Sequence, residues 1–204
     1  MRKIGWVLGW AVPEAWFAPL VRKEFPDTQH VFVAAIPDVF ECLEATGPFD
    51  WIVGYSLGSL LLLGDVARAE RLGRVALLAP TFAFPKEKNV GGRVAVVQLR
   101  QLARWLRRDP QAAIADFYQR AQLDVVLTEP PSAAVLADLA WGLERLEHNA
   151  VPPPLPVGWS AWCGSDDPLL EAVHLHELSP EIVVVPGGGH HPAALLRAFA
   201  KEAL

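Results

Sequence analysis

Three groups that could do acyl-transfer chemistry stand at turns along the chain: a serine, an aspartate and a histidine. The serine lies in Gly54-Tyr55-Ser56-Leu57-Gly58, between an apolar run (Trp51–Tyr55) and a leucine-rich segment beginning at Leu57. A strand that turns at once into a helix needs small residues on either side of the turn, and the serine hydroxyl is then left exposed at the strand's end. The following helix aims its free N–H groups at the same point, where they stabilise negative charge. A serine hydroxyl is a weak nucleophile without a base. Later in the chain, Gly164-Ser165-Asp166-Asp167-Pro168 and Gly187-Gly188-Gly189-His190-His191-Pro192 each follow an apolar run, in the order Ser, acid, His that this motif requires. Asp167 is the expected acid, three residues after Gly164 and ahead of Pro168. Asp166 is the alternative, and the aspartate left over caps the next helix. His190 is the expected base, because the glycines free its backbone. His191-Pro192 reads as a helix start, and His191 is the alternative.

These groups predict a two-step mechanism in which His190 deprotonates Ser56, Ser56 attacks an ester carbonyl, and water then hydrolyses the acyl-enzyme. Asp167 fixes the imidazole tautomer and stabilises the imidazolium. The oxyanion needs two N–H donors. Leu57, next after the nucleophile, supplies one, and Trp10, in the loop Leu8-Gly9-Trp10-Ala11-Val12, supplies the other. Trp10, Phe82, Phe84, Phe117 and Trp141 are candidates to line an acyl pocket. No metal or cofactor is expected.

The elements that must position these residues alternate. Strands are expected at Ile4–Gly9, Val31–Ile36, Trp51–Tyr55, Val75–Ala79, Val157–Cys163 and Ile182–Val185. Helices are expected at Pro13–Phe25, Leu57–Arg71, Pro168–Leu178 and His191–Leu204, with a short helix or loop at Pro37–Thr46. This is an α/β pattern: a mainly parallel sheet of about six strands with helices on both faces. From Phe84 to Ala150 the chain reads as helical throughout, rich in Ala, Leu and Arg, and broken at Asp109-Pro110 and Pro130-Pro131. Residues 1–83 and 151–204 therefore form the core, and 84–150 a helical cap inserted after the Val75–Ala79 strand. The proline-rich run Val151–Pro156 is the stiff return to the sheet.

Composition narrows the function classes. At 204 residues, 52% hydrophobic and 20% charged, the chain is globular and large enough for a core. A net charge of −5 without a long basic run argues against nucleic acid. The longest apolar stretch, Leu57–Leu63, is too short for a bilayer. The N-terminus reads as a strand rather than a signal peptide. Cys42 and Cys163 match no metal spacing and are expected to be free thiols of a cytoplasmic protein.

Gly9-Trp10, the Gly54–Gly58 elbow, Gly164-x-x-Asp167 and Gly189-His190 together resemble the α/β-hydrolase superfamily. Within it, the chain is similar to the pimeloyl-acyl-carrier-protein methyl ester esterases of biotin synthesis. That similarity rests on Gly9-Trp10 followed by Glu14-Ala15-Trp16, and on Trp141-Gly142-Leu143-Glu144-Arg145-Leu146. The resemblance implies a cap that binds an acyl chain and cap arginines that meet an acidic carrier protein. Arg93, Arg100, Arg104, Arg107 and Arg108 would form that basic cluster, largely on one helix face. The chain departs from the superfamily pattern at Leu8, where a histidine is usual. It also departs after Val31–Ile36, where no Asp-x-x-Gly-x-Gly-x-Ser turn follows, and at Asp116, where such an esterase could carry an arginine. It lacks the N-terminal strands of larger members and reads as a trimmed form. The competing functions are a small-ester or thioester hydrolase that uses no carrier, and a non-catalytic binding module on the same fold.

Overall fold

The computed structural model describes residues 2–203. Six strands, Arg2–Val7 (β1), Thr28–Val33 (β2), Trp51–Tyr55 (β3), Arg74–Leu78 (β4), Ser160–Gly164 (β5) and Ile182–Val185 (β6), form one sheet in the order β2-β1-β3-β4-β5-β6. Every pairing is parallel, from Val7 beside Gly54 to Gly164 beside Val185. Parallel neighbours need crossovers, so the helices lie between strands in sequence. These helices are Glu14–Glu24 (α1), Val39–Thr46 (α2), Leu57–Gly64 (α3), Val66–Leu72 (α4), Val96–Arg108 (α5), Pro110–Ala121 (α6), Ala133–His148 (α7), Ala172–Leu178 (α8) and Pro192–Ala203 (α9). The architecture is the expected parallel sheet covered on both faces. α1 packs with α9 against the sheet, while α2, α3 and α4 pack among themselves and on β2 and β3. All strands point one way, so the loops after β1, β3, β5 and β6 emerge on a single edge.

Burial explains which residues build the sheet. β3 is buried along its whole length and β4 after its first residue, as a central parallel strand requires. Phe199 of α9 sits at the centre of an aromatic group, with ring centroids 5.3 Å from Trp51, Trp162 and Phe25 and 6.1 Å from Trp6. The edge strand β2 begins with Thr28, Gln29 and His30. His30 Nδ1 accepts the Trp6 indole N–H at 3.1 Å, and burial lowers the His30 pKa.

Several boundaries differ from the sequence expectation, each for a local reason. β1 ends at Val7 rather than Gly9: the Leu8 N–H makes a last bond to the Val33 carbonyl at 2.9 Å, and the chain then leaves the sheet while staying buried. The single helix expected over Leu57–Arg71 is two, parted at Asp65, whose side chain accepts the Arg68 N–H and caps α4. α8 starts at Ala172, not Pro168. Among 84–150 the stretch before α5 is not helical apart from the short turn Lys86–Lys88. Instead Gly92 bridges Leu170 in antiparallel fashion, the Arg93 N–H donates to the Leu169 carbonyl, and the Glu171 N–H donates to that of Gly91.

α5, α6 and α7 lie between β4 and β5 in sequence, and α6 and α7 close over the loop after β1. The Trp10 indole N–H donates to the Leu139 carbonyl at 2.8 Å, and the Tyr118 hydroxyl donates to the Ala11 carbonyl. α7 can approach because Gly142 has no side chain: a Cβ there would stand 2.8 Å from Trp10 Cδ1 and 3.0 Å from Leu57 Cδ2. Gly64, at the end of α3, has open space around it. Gly64→Ala is therefore expected to be neutral or to stabilise by up to about 1 kcal/mol through helix propensity. Gly142→Ala is expected to fall about 1–3 kcal/mol below it, because of overpacking against Trp10 and Leu57. Urea unfolding of both variants checks this, and equal midpoints would contradict the close approach.

Candidate functional site

Ser56 occupies the sharp turn from β3 into α3 with φ 54° and ψ −114°, a left-handed conformation costly for a residue with a Cβ. The turn holds because its neighbours lack side chains. A Cβ on Gly54 would lie 2.8 Å from the Gly58 carbonyl group, and one on Gly58 only 2.2 Å from the Val7 carbonyl oxygen. Hydrogen bonds complete the restraint. The Ser56 N–H donates to Leu78 at 2.9 Å, and the Ser59 hydroxyl donates to the Ser56 carbonyl at 2.6 Å while accepting the Thr81 N–H at 3.0 Å.

The loops after β5 and β6 bring an aspartate and a histidine to this serine. His190 Nε2 is 3.0 Å from Ser56 Oγ, and His190 Nδ1 is 2.8 Å from Asp167 Oδ2. A carboxylate only accepts, so Nδ1 carries the proton and Nε2 faces the serine hydroxyl as an acceptor. The other carboxylate oxygen, Oδ1, accepts the N–H groups of Leu169 at 2.8 Å and Leu170 at 3.0 Å. A fully buried charge is tolerable only with such partners. The Tyr55 hydroxyl donates to the His190 carbonyl at 2.8 Å, and burial followed by the Asp167 charge raises the Tyr55 pKa well above its usual value. The same two causes raise the Cys163 thiol, which is buried beneath the acid loop as an inert neutral group.

The alternatives raised by the sequence lie elsewhere. Asp166 is exposed, accepts the Ser165 hydroxyl at 2.9 Å and does not meet His190. Nor does it cap α8, whose first turn has no side-chain cap. His191 Nε2 meets Asp124 Oδ1 at 3.1 Å, its ring edge packs 5.2 Å from Trp16, and its Nδ1 accepts the Ala193 N–H. Burial would raise the Asp124 pKa, but hydrogen bonds from Trp16 and His191 outweigh it and hold the carboxyl below its ordinary range.

Leu57 opens α3, and Trp10 follows Gly9 at the end of the β1 loop. Among the described residues neither backbone N–H donates to a protein acceptor. Ser56 is 5% exposed and His190 1%. Two spaces flank the Trp10–Phe117 pair, whose rings meet edge-on at 4.7 Å. One, about 50 Å³, is lined by Phe84, Leu99, Trp105, Phe117, Leu143 and Leu169. The other, about 340 Å³, is an open groove lined by Trp10, Val12, Ile36, Tyr118, Leu127 and Leu139. Phe82 and Trp141, expected as lining, belong to neither. Phe82 turns wholly into the core, and its carbonyl accepts the Val151 N–H. Trp141 sits off the inward stripe of Leu139, Gly142, Leu143 and Leu146, half-buried with the Arg145 guanidinium 5.7 Å over its ring.

Arg100, Arg104, Arg107 and Arg108 share one face of α5, and all four are exposed. Arg100 is paired with Glu147 at 2.7 Å. Arg93 lies outside the helix, and its guanidinium donates to the Asp167 carbonyl at 3.0 Å. Sequence reasoning missed the contacts of Tyr55 and Arg93. Tyr55 could have been suspected from its place inside the elbow. The Arg93 partner, 74 residues away, leaves no local signal.

No protein-family model matches the chain. It is 30% identical to a pimeloyl-[acyl-carrier protein] methyl ester esterase of Xanthomonas oryzae pv. oryzae, over 90% of this chain and 86% of that one. It is 28% identical to the esterase of the same name from Xylella fastidiosa, over the same shares of both chains. An esterase structure from Exiguobacterium antarcticum superposes with a TM-score of 0.71 at 10% identity, covering 100% of this chain and 92% of the other. That likeness is one of fold.

Tyr55→Phe keeps the ring but strips the buried His190 carbonyl of its donor. A loss of about 1–3 kcal/mol of stability is expected from the unsatisfied acceptor. Thermal and denaturant unfolding read this directly, and an unchanged midpoint would show that the hydroxyl does not hold the histidine loop.

Proposed function

Because the chain belongs to the α/β-hydrolase superfamily and, within it, to the pimeloyl-[acyl-carrier protein] methyl ester esterases, we propose that this carboxylic ester hydrolase works through a Ser56–His190–Asp167 acyl-enzyme mechanism. The observation that carries this reading is the unbroken hydrogen-bonded series from Ser56 Oγ through His190 to Asp167. His190 takes the Ser56 proton as Oγ attacks the ester carbonyl. The N–H groups of Trp10 and Leu57, which among the described residues have no other acceptor, receive the oxyanion. His190 returns the proton to the departing alkoxide, the alcohol leaves, and water attacks the acyl-enzyme by the reverse sequence.

In the finer reading, the substrate is the methyl ester of a pimeloyl chain on an acyl carrier protein. Residues 84–150 act as a cap over a core of 1–83 and 151–204, and the exposed α5 arginines Arg104, Arg107 and Arg108 attract the acidic carrier. This work is cytoplasmic, where the free thiols Cys42 and Cys163 stay reduced. Among the described residues no helix is long and apolar enough to cross a membrane.

A fluorophosphonate probe is expected to label the protein once, and Ser56→Ala to abolish labelling. Absence of labelling would leave a binding module. Asp167→Asn is expected to lower kcat by about 10⁴-fold, while Asp166→Asn stays near the parent value; the reverse pattern would reassign the acid. Restoration of growth without biotin, in a strain lacking its own pimeloyl ester esterase, tests the substrate. Failure to restore it, with activity kept on short p-nitrophenyl esters, would favour a carrier-free small-ester hydrolase.

A further inference from the structure

We propose that Arg93 is a positioning residue for the acid Asp167, and that it is not one of the arginines that meet a carrier. This rests on the reading of Asp167 as the acid. The chain between β4 and α5 folds back on itself, with the Lys86 N–H donating to the Val94 carbonyl at 2.9 Å, and lays residues 91–93 beside 169–171. The approach needs glycine at position 92, where a Cβ would stand 2.1 Å from the Phe84 carbonyl oxygen. Arg93 then holds the acid loop at two points. Its N–H donates to the Leu169 carbonyl at 2.9 Å, and its guanidinium donates to the Asp167 carbonyl at 3.0 Å. Leu169 in turn gives its own N–H to Asp167 Oδ1. The backbone on both sides of the carboxylate is thereby fixed, and its free oxygen, Oδ2, is aimed at His190 Nδ1.

The side chain's other neighbour is Glu171, with Nε 3.8 Å from Oε1. That spacing is long for an ion pair and the pair is half-exposed, so it contributes little. The guanidinium is therefore spent on a carbonyl, and the bond is charge-assisted and directional. A lysine ammonium can make one such bond but not keep the planar fork.

The two roles for Arg93 separate kinetically. A docking arginine acts on KM for a carrier-borne ester and is silent on a carrier-free one. A positioning arginine acts on kcat for both, because both depend on the same imidazolium. Arg93→Ala is expected to lower kcat about tenfold or more on p-nitrophenyl butyrate and on pimeloyl-carrier methyl ester alike, with KM unchanged. This is well short of the loss expected for Asp167→Asn. Arg93→Lys, which keeps a charged donor, is expected to recover much of the rate. A change confined to KM for the carrier-borne ester, or no change on either substrate, would overturn the proposal. Should Arg93→Ala fail to fold, Arg93→Gln, which retains length and a donor but no charge, carries the same comparison. If Asp167→Asn itself keeps the parent rate, the assignment of the acid fails. If Asp167→Asn is disabled and Arg93→Ala is not, the Arg93 role alone fails.

Discussion

The backbone of Ser56 is held where a residue with a Cβ does not rest by choice, and most of the molecule bears on keeping it there. A left-handed serine costs free energy of order 1–3 kcal/mol. Here the turn cannot relax, because α3 lies against the end of β1 so closely that Gly58 touches the Val7 carbonyl. The sheet supplies the opposing wall through Leu78, and Ser59 ties the turn to the segment after β4. The hydroxyl is thus presented by the packing of three strands and a helix, not by the serine's own preference.

A parallel sheet turns that local strain into a site. Crossover helices return each strand to the same starting edge, so the loops after β1, β3, β5 and β6 share the other edge. Residues far apart in sequence become neighbours: His190 lies 134 positions from Ser56 and 23 from Asp167. Each partner is restrained in turn, His190 by Tyr55 and Asp167 by Leu169, Leu170 and Arg93. α6 and α7 complete the enclosure by pinning Trp10 and Ala11. Buried polar groups in such an arrangement are held by partners on several sides, which is the condition for a low-dielectric site to carry charge.

Much of this could be read from residue types alone. The elbow glycines, the strand before them and the helix after them are local features, and so is the order of serine, acid and base. The choice of Asp167 over Asp166 followed from its distance to Gly164, and the structure brings that residue, not its neighbour, to His190. What was illegible depends on contacts across the fold. Leu8 and Gly9 look like a continuing strand because a loop buried under helices is as apolar as a strand. Phe82 and Trp141 have the right residue type for a pocket wall, but their direction is set by neighbouring packing that periodicity does not report. Arg93 sits near a run of arginines in sequence, yet a bridge to residues 169–171 turns it toward Asp167. The helix expected from Pro168 begins late because 168–171 is occupied in holding Asp167 and pairing with 91–93.

The central claim is that Ser56 becomes covalently acylated. Rapid quenching during the first turnovers of a p-nitrophenyl ester, followed by peptide mass mapping, tests it most directly. A p-nitrophenol burst near one equivalent and an acyl adduct on the peptide holding Ser56 are the expected results. Turnover with no burst and no adduct, or an adduct on another residue, would contradict the account.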